Sequence, residues 1–137
     1  MEIDDNLRNK VILAAVEARQ WAYAPYSNYP VGAALLTASG RIYDGVNVEN
    51  AAYPNGMCAE RVAVFKAVSE GEREFEAIAV VTANGGSPCG ACRQVLSEFG
   101  KETLVWVAND KGQLLLETTV GELIPDAFGP TDLPPKA

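Results

Sequence analysis

The chain of 137 residues contains no histidine, and that gap removes several chemistries at once. Without imidazole there is no Ser/His or Cys/His nucleophile pair and no histidine metal ligand. Cysteine is scarce. Cys58, Cys89 and Cys92 are the only three, an odd number that cannot all pair within one chain and that suits a reducing compartment. Positive charge is short as well: the net charge of −7 argues against a protein that tracks nucleic-acid phosphates. No apolar run approaches the roughly 20 residues of a bilayer span. The acidic start Met1-Glu2-Ile3-Asp4-Asp5 also lacks the basic flank of a signal peptide. These absences lead us to expect a cytoplasmic location, with no nucleic-acid and no membrane partner. Apolar residues make up 48% of the chain, enough for one domain over 1–137 that buries its core without disulfides.

What is present concentrates in two segments. Asn47-Val48-Glu49-Asn50-Ala51-Ala52-Tyr53-Pro54-Asn55-Gly56-Met57 leads into Cys58-Ala59-Glu60-Arg61, and Ser87-Pro88 leads into Cys89-Gly90-Ala91-Cys92-Arg93-Gln94. Each cysteine run ends a loop and opens a helix-like stretch. Thiolate, the metal-binding form, is favoured at a helix N-terminus by unpaired N–H groups and the helix dipole. Three thiolates fill three of the four tetrahedral positions of zinc. With no fourth candidate ligand, the set favours a catalytic site with one open position over a closed structural one. Glu60 is placed to act as an acid/base there, and Arg61, with Arg93 as a second candidate, to offset excess negative charge on sulfur. Cys89-Gly90-Ala91-Cys92 by itself is equally a thioredoxin-like redox pair. Cys58, 31 positions earlier, tips the balance to metal.

Periodicity gives the scaffold. Asp4 or Asp5 caps a helix to about Tyr23, with Leu7, Val11, Ala14, Ala15 and Ala18 on one face. Strands over 31–37 and 42–48 form an antiparallel hairpin through Ala38-Ser39-Gly40-Arg41. A helix from Cys58 to about Glu70 is apolar on most sides, with Val62, Phe65 and Val68 read as core. A strand over 77–82 and the loop Asn84-Gly85-Gly86 precede a third helix, with Ser87 as N-cap, Pro88 at its first position and Gly100 as its stop. Strands over 103–108 and 113–117 flank the turn Asn109-Asp110-Lys111-Gly112. Thr119 and Glu122 have capping-box spacing, and the end of the chain from 129 reads as an irregular tail. The expected fold is a three-layer α/β/α sandwich around a mixed five-stranded sheet.

Asn47-Val48-Glu49-Asn50-Ala51-Ala52-Tyr53-Pro54, Cys58-Ala59-Glu60-Arg61 and Ser87-Pro88-Cys89-Gly90-Ala91-Cys92-Arg93-Gln94 resemble the small homotetrameric cytidine deaminases. Ala24-Pro25-Tyr26-Ser27, Val31-Gly32-Ala33-Ala34-Leu35 and Glu122-Leu123-Ile124-Pro125-Asp126-Ala127-Phe128 extend the resemblance to roughly residues 7–133. The resemblance implies a pyrimidine-salvage hydrolase that converts cytidine and 2'-deoxycytidine to the uracil nucleosides and ammonia. It implies one Zn²⁺ per subunit on Cys58, Cys89 and Cys92, with water as fourth ligand and Glu60 as proton shuttle. Asn47 and Glu49 would bind ribose hydroxyls, and Ala59 would read the base edge through its backbone, with Ser87 or Pro88. Tyr29 stands where the family usually has phenylalanine against the base. Phe128 resembles an aromatic that packs on the pyrimidine from a neighbouring subunit, so that each site of a homotetramer is completed by its neighbour. Deaminases of another aminated heterocycle, of the blasticidin-S type, share the cysteine motifs, although the 47–54 segment fits nucleoside enzymes better. A non-catalytic zinc-binding protein is the alternative from another class.

Overall fold

Asp4 sets the start of the first element: its carboxylate accepts the Leu7 amide at 2.8 Å, which satisfies one of the free donors of helix α1 (Asp5–Ala18). A computed structural model describes residues 1–135; the last two positions of the expected tail lie outside the described residues. The helix ends before Tyr23. It tightens into a 3₁₀ turn at Arg19–Trp21, because Tyr23 pairs instead with the chain after the hairpin. Its N–H donates to the Asn47 carbonyl and its carbonyl accepts the Glu49 N–H, each at 2.9 Å.

Strands β1 (Gly32–Thr37) and β2 (Ile42–Val46) form the expected hairpin. Next come α2 (Ala59–Ser69), β3 (Phe75–Thr82), α3 (Gly90–Ser97), β4 (Leu104–Asn109), β5 (Leu114–Thr119) and the single turn α4 (Val120–Leu123). The sheet order is β2-β1-β3-β4-β5. Only β3 and β4 run parallel, and α3 supplies their crossover. The tail contains one 3₁₀ turn, Pro130–Asp132.

Both sheet faces are covered, so successive strand residues enter opposite cores. Ala33, Leu35, Ile78, Val105 and Val107 face α2 and α3, where they meet Ala63, Val64, Ala67 and Leu96. Ala34, Leu36, Ala77, Ala79, Val81 and Trp106 face α1 through Val11, Ile12 and Ala15. The expected three layers are present. Trp106 is 1% exposed and its Nε1 donates to Glu117 Oε2 at 2.6 Å, whereas Trp21 is 75% exposed.

Two expectations about helices need correction. Helix α2 is not buried on most sides: Phe65 is 44% exposed and Val62 only half-buried, because Ala59, Ala63, Val64 and Ala67 form the face turned to the sheet. Val68, partly buried, does pack against that core as expected. Helix α3 does not start at Pro88. Arg93 donates to the Pro88 carbonyl at 2.7 Å and to Ser87 Oγ at 3.0 Å, which draws the Ser-Pro step out of the helix. Cys89 becomes the N-cap.

Helix α2 lies close on β2 because Gly45 has no side chain. A Cβ there would sit 2.5 Å from the Ala59 carbonyl oxygen and 2.6 Å from the Ala63 nitrogen, both backbone atoms. Gly45→Ala must therefore push away the helix that carries Cys58 and Glu60. We expect a loss of about 1–3 kcal/mol in denaturant unfolding; an unchanged midpoint would show that α2 has room to shift.

The end of α2 is tied back to the hairpin by Glu72. Its Oε2 accepts from Ser39 Oγ at 2.5 Å, Thr37 Oγ1 at 3.1 Å and Tyr43 Oη at 3.4 Å. The Ser39 hydroxyl bond, ahead of the others, holds the Glu72 pKa below its ordinary value. The stabilisation is present above the unfolded pKa of about 4.3 and is lost as pH falls through the lower folded value. Glu72→Gln should thus flatten the acid limb of a Tm-against-pH curve below about pH 4.3. An acid limb identical to the parent's would remove Glu72 from the account.

Candidate active site

Register brings the site together at one end of the sheet. Gly32 is opposite Val46 on one side and Val81 on the other, so the next residues outward, Val31, Asn47 and Thr82, meet at one edge. The chain then leaves β2, runs out through a 3₁₀ turn at Tyr53–Asn55 and returns. Val48 and Met57 exchange both backbone hydrogen bonds, at 2.9 and 3.0 Å. That closure delivers Cys58, the next residue, beside Asn47 and Glu49. From the other direction, β3 ends at Thr82, whose Oγ1 accepts the Gly85 and Gly86 amides at 2.8 Å each. This turn directs Ser87–Cys89 to the same point.

Cys58 and Cys89 are therefore the N-caps of α2 and α3, and Cys92 lies in the first turn of α3. The Sγ atoms are 3.7 Å apart for Cys58–Cys89 and 3.5 Å for Cys89–Cys92, and all three lie within 4.8 Å of one another. Arg61 Nη2 donates to Cys58 Sγ at 3.3 Å. A hydrogen bond from Cys92, with help from Arg61 against the opposing effect of burial, holds the Cys58 thiol down at about 5. The partner group, Cys92, is pushed up by that same bond and by burial. Three convergent sulfurs, one already favoured as thiolate and facing a guanidinium, form a donor set that fits a soft divalent metal such as zinc. Arg93 takes no part in this charge balance. Its guanidinium goes to Ser87, Pro88 and the Leu123 carbonyl, so its work is to shape the loop and dock α4.

Glu60 is 5% exposed. Burial raises its pKa, and the negative Cys58 adds to the shift, the direction that suits a carboxylate passing protons near neutral pH. It lines a cleft of about 300 Å³ with Tyr29, Asn47, Glu49, Ala59, Cys58 and Cys89. Asn47 is held in place by its own side chain: Oδ1 accepts the Val31 N–H at 2.9 Å and Nδ2 donates to the Tyr29 carbonyl at 3.0 Å. Glu49 accepts the Tyr26 and Ser27 amides at 2.9 and 3.1 Å and the Ser27 hydroxyl. The Ser27 hydroxyl lowers its pKa most. Phe128 is not among these residues. It is 58% exposed, and its carbonyl accepts from Gln94 Nε2 at 2.8 Å.

Sequence reasoning did not single out Thr82 or Ser27, both of which line the cleft. The signal for Thr82 was there: a threonine ending an apolar strand two residues before Asn-Gly-Gly is placed for a side-chain-to-backbone turn.

A mixed five-stranded sheet between helices, with three thiols and a buried carboxylate at helix starts beside a cleft, defines a zinc-dependent deaminase architecture. A family model described as the cytidine and deoxycytidylate deaminase zinc-binding region matches residues 5–108, and the chain belongs to this family. It is 54% identical over 127 residues to the cytidine deaminase of Sporosarcina psychrophila, covering 90% of this chain and 93% of that one. It is 49% identical over 129 residues to the cytidine deaminase of Halalkalibacterium halodurans, covering 92% and 97% respectively. The crystal structure of cytidine deaminase from Burkholderia pseudomallei superposes with a TM-score of 0.83 at 47% identity, covering 92% of this chain and all of that one.

Proposed function

We propose that the protein is a cytidine deaminase: it hydrolyses the exocyclic C–N bond of cytidine and 2'-deoxycytidine, giving uridine or 2'-deoxyuridine and ammonia. The observation that carries this reading is Glu60, a nearly buried carboxylate lining the same cleft as two of three clustered thiols. Cys58, Cys89 and Cys92 would hold one zinc ion, which when bound supplies a Lewis acid that makes water acidic enough to lose a proton near neutral pH. Glu60 takes that proton and passes it to N3 of the ring. A second proton, from the hydroxyl added at C4, then passes through Glu60 to the departing amine as the C–N bond breaks and the carbonyl forms. Arg61 steadies the Cys58 thiolate. Burial raises the Glu60 pKa above that of a free carboxylate, the direction a proton shuttle needs.

Asn47 and Glu49 would receive the sugar hydroxyls. Three of the roughly four acceptor sites of the Glu49 carboxylate are engaged with Tyr26 and Ser27, which leaves capacity for one further donor. The ring of Tyr29 and the backbone of Ala59 would border the base. Phe128, exposed and outside the cleft, supports the reading that a neighbouring subunit supplies this aromatic. The uncovered Phe65 and Trp21 agree with a homotetramer. The whole chain would work as one deaminase domain acting on free nucleosides in cytoplasmic pyrimidine salvage, without nucleic-acid or membrane partners. Among the described residues no helix is long and apolar enough to cross a membrane. The direct test is ammonia release from cytidine by the purified, zinc-loaded protein. No release from folded, zinc-containing protein would reject the nucleoside assignment in favour of another aminated heterocycle or a binding role.

A further inference from the structure

We propose that the Tyr29 hydroxyl is a specificity-determining contact that fixes the width of the cleft by tying its two walls together. The inference rests on the nucleoside reading of the cleft. One wall is the segment before β1, including Ser27, Tyr29 and Val31; the other is the turn after β3, with Thr82, Gly86 and Ser87. They are 55 residues apart in sequence, and Tyr29 Oη joins them by donating to Asn84 Oδ1 at 2.6 Å.

Both ends of this link are anchored. On the Tyr29 side, the backbone N–H donates to Ser27 Oγ at 3.1 Å and the carbonyl accepts from Asn47 Nδ2 at 3.0 Å. On the other side, Thr82, 2% exposed, caps the Gly85 and Gly86 amides through Oγ1. Gly86 is small where the link crosses: a Cβ there would sit 2.5 Å from the tyrosine oxygen. The space above Gly86 is thus filled by the hydroxyl itself. A phenylalanine ring would border the cleft equally well, but it could neither make this bond nor fill that space, and the walls would be left joined by the β1–β3 ladder at their base. A contact that sets spacing between the walls acts on how a base is accepted, more than on the proton transfers at Glu60.

The test measures kcat and KM for cytidine and 5-methylcytidine with zinc-loaded parent, Tyr29→Phe, Asn84→Ala and the double variant. Each single change should raise KM for cytidine roughly 2- to 10-fold, the worth of one neutral hydrogen bond, with a smaller change in kcat. Each should also narrow the preference for cytidine over the larger base. Because the two groups act as one link, the double variant should be no worse than either single. Unchanged KM and preference in Tyr29→Phe, or single effects that multiply in the double variant, would overturn the proposal. A second readout does not depend on turnover: hydrogen exchange of the Gly85 and Gly86 amides should quicken in Tyr29→Phe, and unchanged exchange would also overturn it. A parent that does not deaminate cytidine would instead refute the nucleoside reading, while amide exchange would still decide whether the link exists.

Discussion

Glu60→Gln is expected to lower kcat for cytidine by about 10²–10⁴-fold, the range that a positioned acid/base contributes, while zinc content stays at the parent level. The carboxamide keeps the size and shape of the side chain, so the packing of a residue only 5% exposed is preserved. What it loses is the ability to gain and give up a proton. The sulfurs are untouched, because Glu60 is not one of the clustered metal-ligating groups. Stability should not fall and is expected to rise, since burial penalises the charged carboxylate and a neutral amide removes that penalty. Steady-state kinetics, metal analysis and a thermal melt on the same preparation separate these effects. Deamination within about tenfold of the parent would take the proton shuttle away from Glu60, because a true shuttle contributes more than that.

The second large effect is expected at the sulfurs. Cys89→Ser should leave the protein nearly free of zinc after dialysis and without measurable deamination, because two thiolates remain where three converge. Arg61→Ala provides the graded comparison. It removes the guanidinium at 3.3 Å from Cys58 Sγ but no ligand, so affinity should fall by about 10–100-fold, as for outer contacts of metal sites. Competition against a chromophoric chelator measures both. If Cys89→Ser retains full zinc under that competition, the three-sulfur assignment is wrong. If Arg61→Ala matches the parent, the guanidinium is only a packing group.

The site was legible largely because of what is missing. With no imidazole available, Cys58, Cys89 and Cys92 were the only thiolate ligands to consider, and the dipole argument placed them at helix starts. The sheet was legible from strands whose residues are apolar on both faces. Local signals failed where long-range bonds outweighed them. Ser87-Pro88 has the pattern of a helix start, but Arg93 draws that step away. The first helix looked able to reach Tyr23, yet Tyr23 pairs with Asn47 and Glu49. Phe65 is as apolar as any core residue, and only the packing of alanines against the sheet shows that it faces outward. The bond between Tyr29 and Asn84 spans 55 positions, beyond the reach of any periodicity.

The contrast between the two tryptophans makes the molecule its own optical probe. Trp106 is sealed between the sheet and α1, with its indole N–H bonded to Glu117, so its emission should stay blue until the sheet itself opens. Trp21, on the turn after α1 and almost fully in solvent, should emit to the red and respond to whatever covers that surface. If the homotetramer proposed above covers Trp21, dilution would move one component of the fluorescence and denaturant the other, so that dissociation and unfolding could be followed in a single unlabelled sample.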